Sequence, residues 1–586
     1  MKTIYRLLMT LMAASLCLSC DLTLLPEDSV TPDTYFQTAT DLELWSNHFY
    51  YALLDDGDAV SRINADDMVD KSMGSVIQGT RLASDNMSGY NEWNWSELRK
   101  INYLLEHSSN CKDEEVRAKY NGVAYFFRAY FYYEKVIRFG DVPWYDKVLE
   151  STDKEFLNEP REDRKIVMDH VMDDLDSAIT MLPSNKEIAR VTKWTALAMK
   201  SRAALFEGTW RVYRDLPDAE DYLRQAAEAA KDFIDNSGYV LYSDGTEPYR
   251  DLFCSDEAKS NEVILAQLYN FEGLNLSHSV QFNIRNDAQG FTRRFMNHYL
   301  MKDGKRFTDI EGNSTMGYLE ETQNRDPRMA QTVLCPGYIA KGAKDVTSDD
   351  MTAMTGYEPI KFVSTDAHSG ASKGTEDWIL FRAAEVYLNY AEALAELGTL
   401  TQEDLDISIN KIRKRAGMPN MSLSDANAGI DPFLAQCYPN VTKSANEGVI
   451  LEIRRERTVE LVNEGFRQWD MFRWKEGAQM VNDKNPYYGM YFPSEGLYDM
   501  DGDGKNDLEI YSKTQQSKPS DGLNVKKIGS DIFLSDGTKG YVTAWSSLTY
   551  TWDEKRDYLW PIPADQRVLT GGALTQNPGW TDSTNL

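Results

Sequence analysis

The first half of the chain is dominated by apolar residues at helical spacing. From Val116 onwards, the apolar residues lie on one side of a predicted helix. They are Tyr120, Val123, Ala124, Phe127, Tyr130, Phe131 and Ile137. This i, i+3, i+4, i+7 spacing is typical of a buried helical face, and Gly140 and Pro143 end it. Further helices are predicted at about 191–206, with Gly208 past its end, and at about 221–233.

Small residues within these helices predict that the helices pack closely against one another. They are Gly122, Ala124, Ala129, Ala203 and Ala204. Repeated helix pairs of this kind are similar to tetratricopeptide units, although the chain lacks a strict period of about 34 residues. We therefore expect TPR-like helical pairs in this half.

The second half alternates between loop-like and helical segments. Residues 236–376 are rich in Gly, Asn, Asp and Ser and have poor apolar periodicity, which predicts long ordered loops with short helices and strands. Residues 481–550 are also loop-like and should hold most of the strands. Further helices are predicted at 378–397, 403–415 and 447–464. Because no low-complexity linker interrupts the chain, we expect one large, mainly α domain with long loops and a few short strands.

The N-terminus has the pattern of a lipoprotein signal. Lys2 and Arg6 precede an apolar stretch at 7–18 that is too short to span a bilayer, and Cys20 follows a small residue. We expect cleavage before Cys20 and lipid attachment to its thiol, which would anchor the chain to a membrane. Cys17 occupies the place where such signals usually have leucine. The alternative is an ordinary secretory signal cut nearby.

Charge and cysteine content narrow the function classes. The formal net charge is −29, so nucleic acid is an unfavourable partner, whereas a neutral ligand or a divalent cation is compatible. No segment after the signal approaches about 18 consecutive apolar residues, so the rest of the chain is not transmembrane. The remaining cysteines are widely spaced without a CxxC pair, which argues against zinc and leaves any disulfide pairing open. They are Cys111, Cys254, Cys335 and Cys437.

Several segments, in order along the chain, resemble the SusD/RagB family. They are 125–144, 190–210, 324–328 (NRDPR), 379–398, 409–419 (INKIRKRAGMP), 450–475, 558–566 (YLWPIPADQ) and 574–580. Each is weakly specific alone, but together they cover nearly all of the chain after the signal. The resemblance implies a SusD-like fold with a signal peptide at 1–19, an N-terminal part at 20–235 and a C-terminal part at 236–586.

The resemblance also implies a function. It predicts an outer-membrane lipoprotein facing the cell exterior, which captures a glycan and acts as the lid of a SusC-like TonB-dependent transporter, without catalysis of its own. The RagB branch leaves open a peptide ligand on the same fold. A surface glycosidase or esterase is the rival from another class, because catalytic carboxylates need not be close in sequence.

Charged residues alternate with apolar ones in two of the family-like segments. Arg382, Glu385, Asn389 and Glu392 form one set, and Arg454, Arg455, Glu456, Arg457 and Glu460 form another. Opposite charges at i, i+3 and i+4 can pair along a helix. Arg467, Asp470 and Arg473 continue the alternation through an aromatic stretch. We interpret this as an ion-paired, partly buried helix junction and not as an acid/base site.

An aspartate-rich segment has the spacing of a calcium loop. Carboxylates at alternate positions can converge on one hard cation, and glycine permits the sharp turn. The predicted ligands are Asp499, Asp501, Asp503, the carbonyl of Lys505, and Asp507. Ile510 stands where a bidentate glutamate is expected, and Glu509 comes one place early. The sequence predicts a structural calcium ion; the alternative is a solvated acidic turn.

Two segments are candidates for ligand contact. Flat aromatic rings beside polar groups suit the C–H faces of sugars. The first segment precedes a helix that starts near Glu97, and related proteins often carry a glycan-stacking Trp there. The candidate residues of this first segment are Tyr90, Trp93 and Trp95. The second segment is a predicted loop at 281–291, with Asn283, Arg285 and Asp287 as candidates. The alternative for the first is that both Trp pack the helix onto its neighbour.

No sequence motif indicates catalysis or an organic cofactor. Gly370–Gly374 formally matches a nucleophile elbow around Ser372, but no apolar strand precedes it. The chain has no HExxH and no GxxxxGK[ST] motif, and its six histidines are scattered.

Overall fold

The computed structural model describes residues 35–54, 65–83, 93–150, 152–153, 158–481, 487–518 and 522–581. These residues are mainly α-helical, as predicted. The longer helices and those used below are α1 (Ala39–Leu53), α2 (Ser96–His107), α3 (Glu114–Phe139), α4 (Arg164–Met181), α5 (Lys193–Val212), α6 (Ala219–Asn236), α7 (Val280–Asn286), α8 (Ala383–Leu397), α9 (Gln402–Ile407), α10 (Ile409–Ala416), α11 (Glu447–Glu460) and α12 (Arg467–Arg473).

Short helices punctuate the loops between them. They span Ser75–Gln78, Pro248–Phe253, Phe271–Leu274, Arg293–Met296, Tyr318–Glu321, Leu423–Ala428, Pro432–Cys437, Gly477–Met480 and Ala564–Leu569. The strands are β1 (Met68–Val69), β2 (Val263–Gln267), β3 (Gly290–Phe291), β4 (Trp378–Arg382), β5 (Tyr488–Phe492), β6 (Gly496–Tyr498), β7 (Leu508–Tyr511), β8 (Asn524–Lys527) and β9 (Gly540–Thr543). The strands β5 to β9 lie within 481–550, where most strands were predicted.

The helix predicted downstream of Val116 is α3. Asp113 caps its start by accepting hydrogen bonds from the backbone N–H groups of Glu115 and Val116, both at 3.1 Å. Gly140 ends it with a φ of 71°, a conformation that favours glycine. Between these signals the apolar face is buried, so the periodicity predicted this element correctly.

The end predicted for α5 was wrong. The helix continues through Gly208 to Val212, and α6 packs against it. A Cβ atom at Gly208 would lie 2.8 Å from Cδ2 of Leu223 and 3.1 Å from the backbone nitrogen of Leu223. Gly208 therefore permits the close approach of two helices, and its lack of a side chain does not end α5.

Two predicted helices are interrupted. Residues 378–382 form β4, which pairs antiparallel with β2, and α8 begins only at Ala383. The helix predicted at 403–415 divides into α9 and α10 at Ser408, whose φ of −127° and ψ of −95° are not helical. In the first case strand pairing overrides a local helical pattern.

A short strip of extended segments supports one face of the second half. β1 pairs with β3, and Phe291 of β3 donates its backbone N–H to the carbonyl of Tyr357 at 2.9 Å. Met490 of β5 donates its backbone N–H to the carbonyl of Thr355 at 2.9 Å, and β5 pairs with β9. The segment 355–357 thus links the short strand pairs β1–β3 and β5–β9.

The largest hydrophobic cluster includes buried residues of α3, α5, α8 and α11. In sequence, its first member is Phe36 and its last is Leu574. A second cluster gathers the inner sides of β5, β7 and β9 with Phe291 and Tyr357. The first cluster contains residues from both sides of position 235. The division of the chain at that position stays a prediction.

The charged residues of the family-like segments form a buried network, as predicted, but their pairing differs from the expectation. The carboxylate of Glu460 lies between the guanidinium groups of Arg328, Arg382 and Arg415, at 3.0 Å and 2.7 Å from the first two. Most of these pairs join different elements, and few run along one helix. The arginine side chains are only 2% exposed, so burial is more complete than expected.

A second buried group lies beside the first. Glu392 of α8 accepts hydrogen bonds from Nη2 of Arg473 at 2.8 Å and from Nε1 of Trp474 at 2.7 Å. Arg473 also contacts Asp470, three residues earlier on α12, at 2.9 Å. These contacts hold α12 against α8, which supports a structural role for the charges.

The four cysteines beyond the signal are buried and free. Within the described ranges, no helix combines the length and the apolar character that crossing a bilayer requires.

Candidate functional site

The aromatic segment before α2 is largely packed into the core. Trp93 is 9% exposed, and its ring meets the edge of Phe139 with centroids 4.8 Å apart. Trp95 is partly buried and contacts Phe131 and Tyr145 at 5.6 Å and 5.8 Å between centroids. Trp93 therefore packs the start of α2 onto α3, which was the alternative to ligand contact. Trp95 retains partial exposure; Tyr90 and the lipid-attachment candidate Cys20 lie outside the described residues.

The first part of the second predicted segment, up to Asn286, is a helix and not a loop. Asn283 and Arg285 lie on α7, and Asp287 follows its last residue. The exposed guanidinium of Arg285 contacts Asp350 at 2.7 Å and Glu358 at 3.3 Å. Burial lowers the pKa of Arg285, but these two carboxylates outweigh it and raise the pKa above its usual value. Arg285 is therefore held charged by its acidic neighbours.

The predicted calcium loop connects β6 to β7. Asp499, Asp501 and Asp507 each place one carboxylate oxygen within 4.8 Å of the others. Asp503 turns to Lys505 instead, with 2.6 Å between its Oδ2 and the ammonium nitrogen. The structure brings three of the predicted side chains together at a spacing that a hard cation can bridge.

The hydrogen bonds of the loop explain its shape. The two oxygens of Asp499 accept the backbone N–H groups of Gly502 at 2.7 Å and Gly504 at 2.9 Å. Slight burial and then the neighbouring carboxylates raise the pKa of Asp501. Glu509 is buried and accepts the backbone N–H of Ser517 at 2.8 Å, so it does not serve as the missing bidentate ligand.

A tyrosine face on β5 and β9 was missed by the sequence reasoning. Tyr488, Tyr491 and Tyr541 are all partly exposed, with Tyr541 stacked on Tyr488 at 4.9 Å and in edge contact with Tyr491 at 5.3 Å. The hydroxyl of Tyr541 donates to the carbonyl of Ser314 at 2.6 Å. Met490 and Phe492 point into the core instead. The mixed aromatic and apolar pattern of 488–492 was the signal that could have revealed this face.

Ser372 does not lie in a nucleophile elbow, because a short 3₁₀ helix at Asp366–His368 precedes it and strand β4 follows it, the reverse of the strand–turn–helix order that an elbow needs. It is exposed, has a φ of 54° and donates its backbone N–H to Oγ of Ser279 at 2.9 Å. The nearby His278 has its Nε2 2.9 Å from the carbonyl oxygen of Glu376, and its Nδ1 accepts the backbone N–H of Val280 at 3.3 Å. Both ring nitrogens are therefore engaged with the backbone.

The amino-acid sequence matches two models of known protein families. Residues 272–580 match the sequence model of the SusD family, and residues 56–205 match a model described as "Starch-binding associating with outer membrane". A curated relative, SusD-like protein P38 of Formosa agariphila, is 23% identical over 438 residues, covering 69% of this chain and 76% of the relative.

Solved structures show the same fold. A SusD-like protein from Bacteroides fragilis superposes with a TM-score of 0.69 at 22% identity, over 95% of this chain and 100% of that one. A SusD-like carbohydrate-binding protein from the same organism superposes with a TM-score of 0.67 at 19% identity, over 92% and 99% of the two chains.

Proposed function

Because the chain belongs to the SusD family, we propose that it is a cell-surface lipoprotein that captures glycans and delivers them to a SusC-like TonB-dependent transporter. It acts as the lid of that transporter and catalyses no reaction itself. The observation that carries the glycan proposal is the tyrosine face, defined as Tyr488, Tyr491 and Tyr541.

The tyrosine face suits a sugar ring for two reasons. Its partly exposed rings offer flat apolar surface to the C–H face of a sugar, and the phenolic hydroxyl groups and neighbouring backbone offer polar partners. Its underside is fixed by core packing of Met490 and Phe492. A platform that is already rigid loses little conformational entropy on binding.

Calorimetry against a panel of starch-type glucans, other glycans and peptides tests this proposal. We expect Tyr491→Ala to weaken glycan binding by about 1–3 kcal/mol, the scale of one lost aromatic contact. Tyr51→Ala is the matched control, because Tyr51 is 73% exposed on α1. Binding by Tyr491→Ala at wild-type affinity would exclude the tyrosine face, and binding of peptides alone would favour the RagB-like alternative.

Trp95→Ala tests the surface predicted from sequence. A loss of glycan affinity in this variant, with Tyr491→Ala unaffected, would move the site to the start of α2. Assay of the wild-type protein for sugar or acyl product release covers the hydrolase alternative. We expect no product, and product release would overturn the binding-only function.

The lid role follows from the need for a pore. A surface-bound protein cannot itself carry a glycan across a bilayer, so the ligand must pass to a transporter. We expect co-purification with a large β-barrel protein from native membranes in mild detergent. If the tyrosine face binds the ligand and not the barrel, Tyr491→Ala should remain in that complex. Extraction of the wild-type protein alone would contradict the lid role.

The lipid anchor is tested separately. Cys20→Ala should release the protein from the outer membrane, because the thiol of Cys20 is the proposed attachment atom. Retention of this variant in a strain without the transporter would refute the assignment.

We also propose calcium at the β6–β7 loop, with Asp499, Asp501 and Asp507 as side-chain ligands. An ion that binds only the folded state raises stability by mass action, so a chelator should lower the melting temperature. Asp501→Asn should reduce this sensitivity, because it removes one of the three side-chain ligands of the loop. A protein that contains no metal and melts equally with and without chelator would leave only a solvated acidic turn.

A further inference from the structure

Three carboxylates converge beside α7, away from the β6–β7 loop. Asp349, Asp350 and Glu358 each place one carboxylate oxygen within 4.8 Å of the others. Asp349 is 0% exposed and Glu358 is 5% exposed, whereas the side chain of Asp350 is 36% exposed. The cluster is thus buried on one side and reaches solvent on the other.

The protein satisfies only part of this cluster. Oδ1 of Asp349 accepts the backbone N–H of Met351 at 2.7 Å, and Arg285 contacts Asp350 and Glu358. Within the described part of the chain, Oδ2 of Asp349 and Oε2 of Glu358 are buried without a hydrogen-bond partner. The hydroxyl of Ser348, next in sequence, is also buried without a partner there.

Electrostatics makes this arrangement costly without a further positive charge. With all three carboxylates ionised, the cluster and Arg285 together carry a net charge of −2. A buried anionic oxygen without a partner is destabilising, since neither water nor a donor replaces its lost hydration. A divalent cation would cancel the charge and engage both unpartnered oxygens.

We propose that Asp349, Asp350 and Glu358 bind a calcium ion, independently of the glycan function. All of the available donors are oxygens, which hard cations prefer. Calcium fits better than magnesium because it accepts irregular coordination by six to eight oxygens at about 2.3–2.6 Å, while magnesium demands a near-ideal octahedron. Water can complete the shell on the exposed side at Asp350.

The test uses the full mature protein with the substitution Asp501→Asn, which removes a proposed calcium ligand from the β6–β7 loop. Any remaining calcium binding can then be assigned to a different site. After chelator treatment and dialysis, calcium chloride alone is titrated by calorimetry. We expect one ion per chain. Adding Asp349→Asn or Glu358→Gln should weaken binding at least tenfold, whereas Asp345→Asn, an exposed control on the same segment, should leave it unchanged.

Melting in chelator separates loss of the ion from loss of the fold. Without calcium, Asp349→Asn should be at least as stable as its parent, because it removes an uncompensated buried charge. With calcium, the parent should gain stability and the variant should not. Absence of calcium binding in the Asp501→Asn protein, or unchanged binding after both Asp349→Asn and Glu358→Gln, would overturn the proposal. If Asp349→Asn fails to fold, Glu358→Gln decides alone.

Discussion

Glu460 is the carboxylate whose removal should most disturb the buried ion network. Its oxygens contact Arg328 at 3.0 Å and Arg382 at 2.7 Å, and they also contact Arg415. Burial alone would raise the pKa of Glu460, but the three guanidinium groups outweigh it and hold the pKa far below its usual value. Glu460→Gln keeps the shape of the side chain and removes this charge.

The magnitude follows from what each arginine retains. Arg382 keeps Glu262 at 3.0 Å and Glu464 at 2.7 Å, but among the described residues Arg415 keeps a single carboxylate, Glu262, at 3.5 Å. The loss therefore concentrates on Arg415, whose side chain is 2% exposed. Breaking a buried pair by removing one partner costs about 3–5 kcal/mol, so we expect a loss of this size in the free energy of unfolding.

Urea unfolding followed by circular dichroism measures this loss. Glu150→Gln is the matched control: Glu150 contacts Arg99 at 2.9 Å, but the two side chains are 65% and 50% exposed, so its loss should cost under about 1 kcal/mol. The double variant Glu460→Gln/Arg415→Met should recover part of the stability, because no unpaired charge is left at that position. Equal losses in Glu460→Gln and Glu150→Gln would refute the burial argument.

Three further predictions concern stability. Burial raises the pKa of Glu476 to about 7. Burial also acts on Glu392, but its ion pair lowers the pKa of that residue to about 2. In chelator, thermal melts should therefore show stability rising as pH falls from about 7 towards 4.5, and then falling towards pH 2. Gly208→Ala should cost about 1–3 kcal/mol through its clash with Leu223, instead of the gain usual in an exposed helix, as urea unfolding can measure. Trp93→Ala should lower the melting temperature by creating a cavity, and unchanged melting would show that its ring is not core.

Sequence predicted best those features whose causes are local. The helix α3 ends at Gly140, as its sequence predicted, whereas its cap at Asp113, also a local signal, was not identified. The spacing of Asp499, Asp501 and Asp507 similarly determines which carboxylates meet, because a nine-residue loop leaves them few other arrangements. The ion pair between Asp503 and Lys505, which turns Asp503 away from the other carboxylates, was not predicted from this spacing.

Features that depend on distant partners were predicted wrongly or missed. Arg285 was predicted to lie on a loop, yet it lies on helix α7 and contacts Asp350, which is 65 residues away. Its role in ligand contact stays a prediction. The charges on α8 and α11 were correctly expected to pair, but a one-dimensional pattern offers partners only three or four residues away. The observed partners are far apart in sequence. Arg382, the last residue of β4, pairs with Glu460 of α11, which is 78 residues away.

The segment 334–358 contacts or contains parts of three proposed sites: the β6–β7 loop, the carboxylate cluster and the tyrosine face. The backbone carbonyl of Asp501 in the β6–β7 loop accepts the backbone N–H of Gly337 at 3.0 Å, and the backbone carbonyl of Glu358 accepts the backbone N–H of Leu334 at 2.9 Å. The same stretch continues to Thr355, whose carbonyl binds β5 beneath the tyrosine face. A cation at either acidic site would restrain a segment on which that face rests. We therefore predict that calcium occupancy changes glycan affinity through this stretch of backbone, so that glycan titrations with and without calcium will give different affinities.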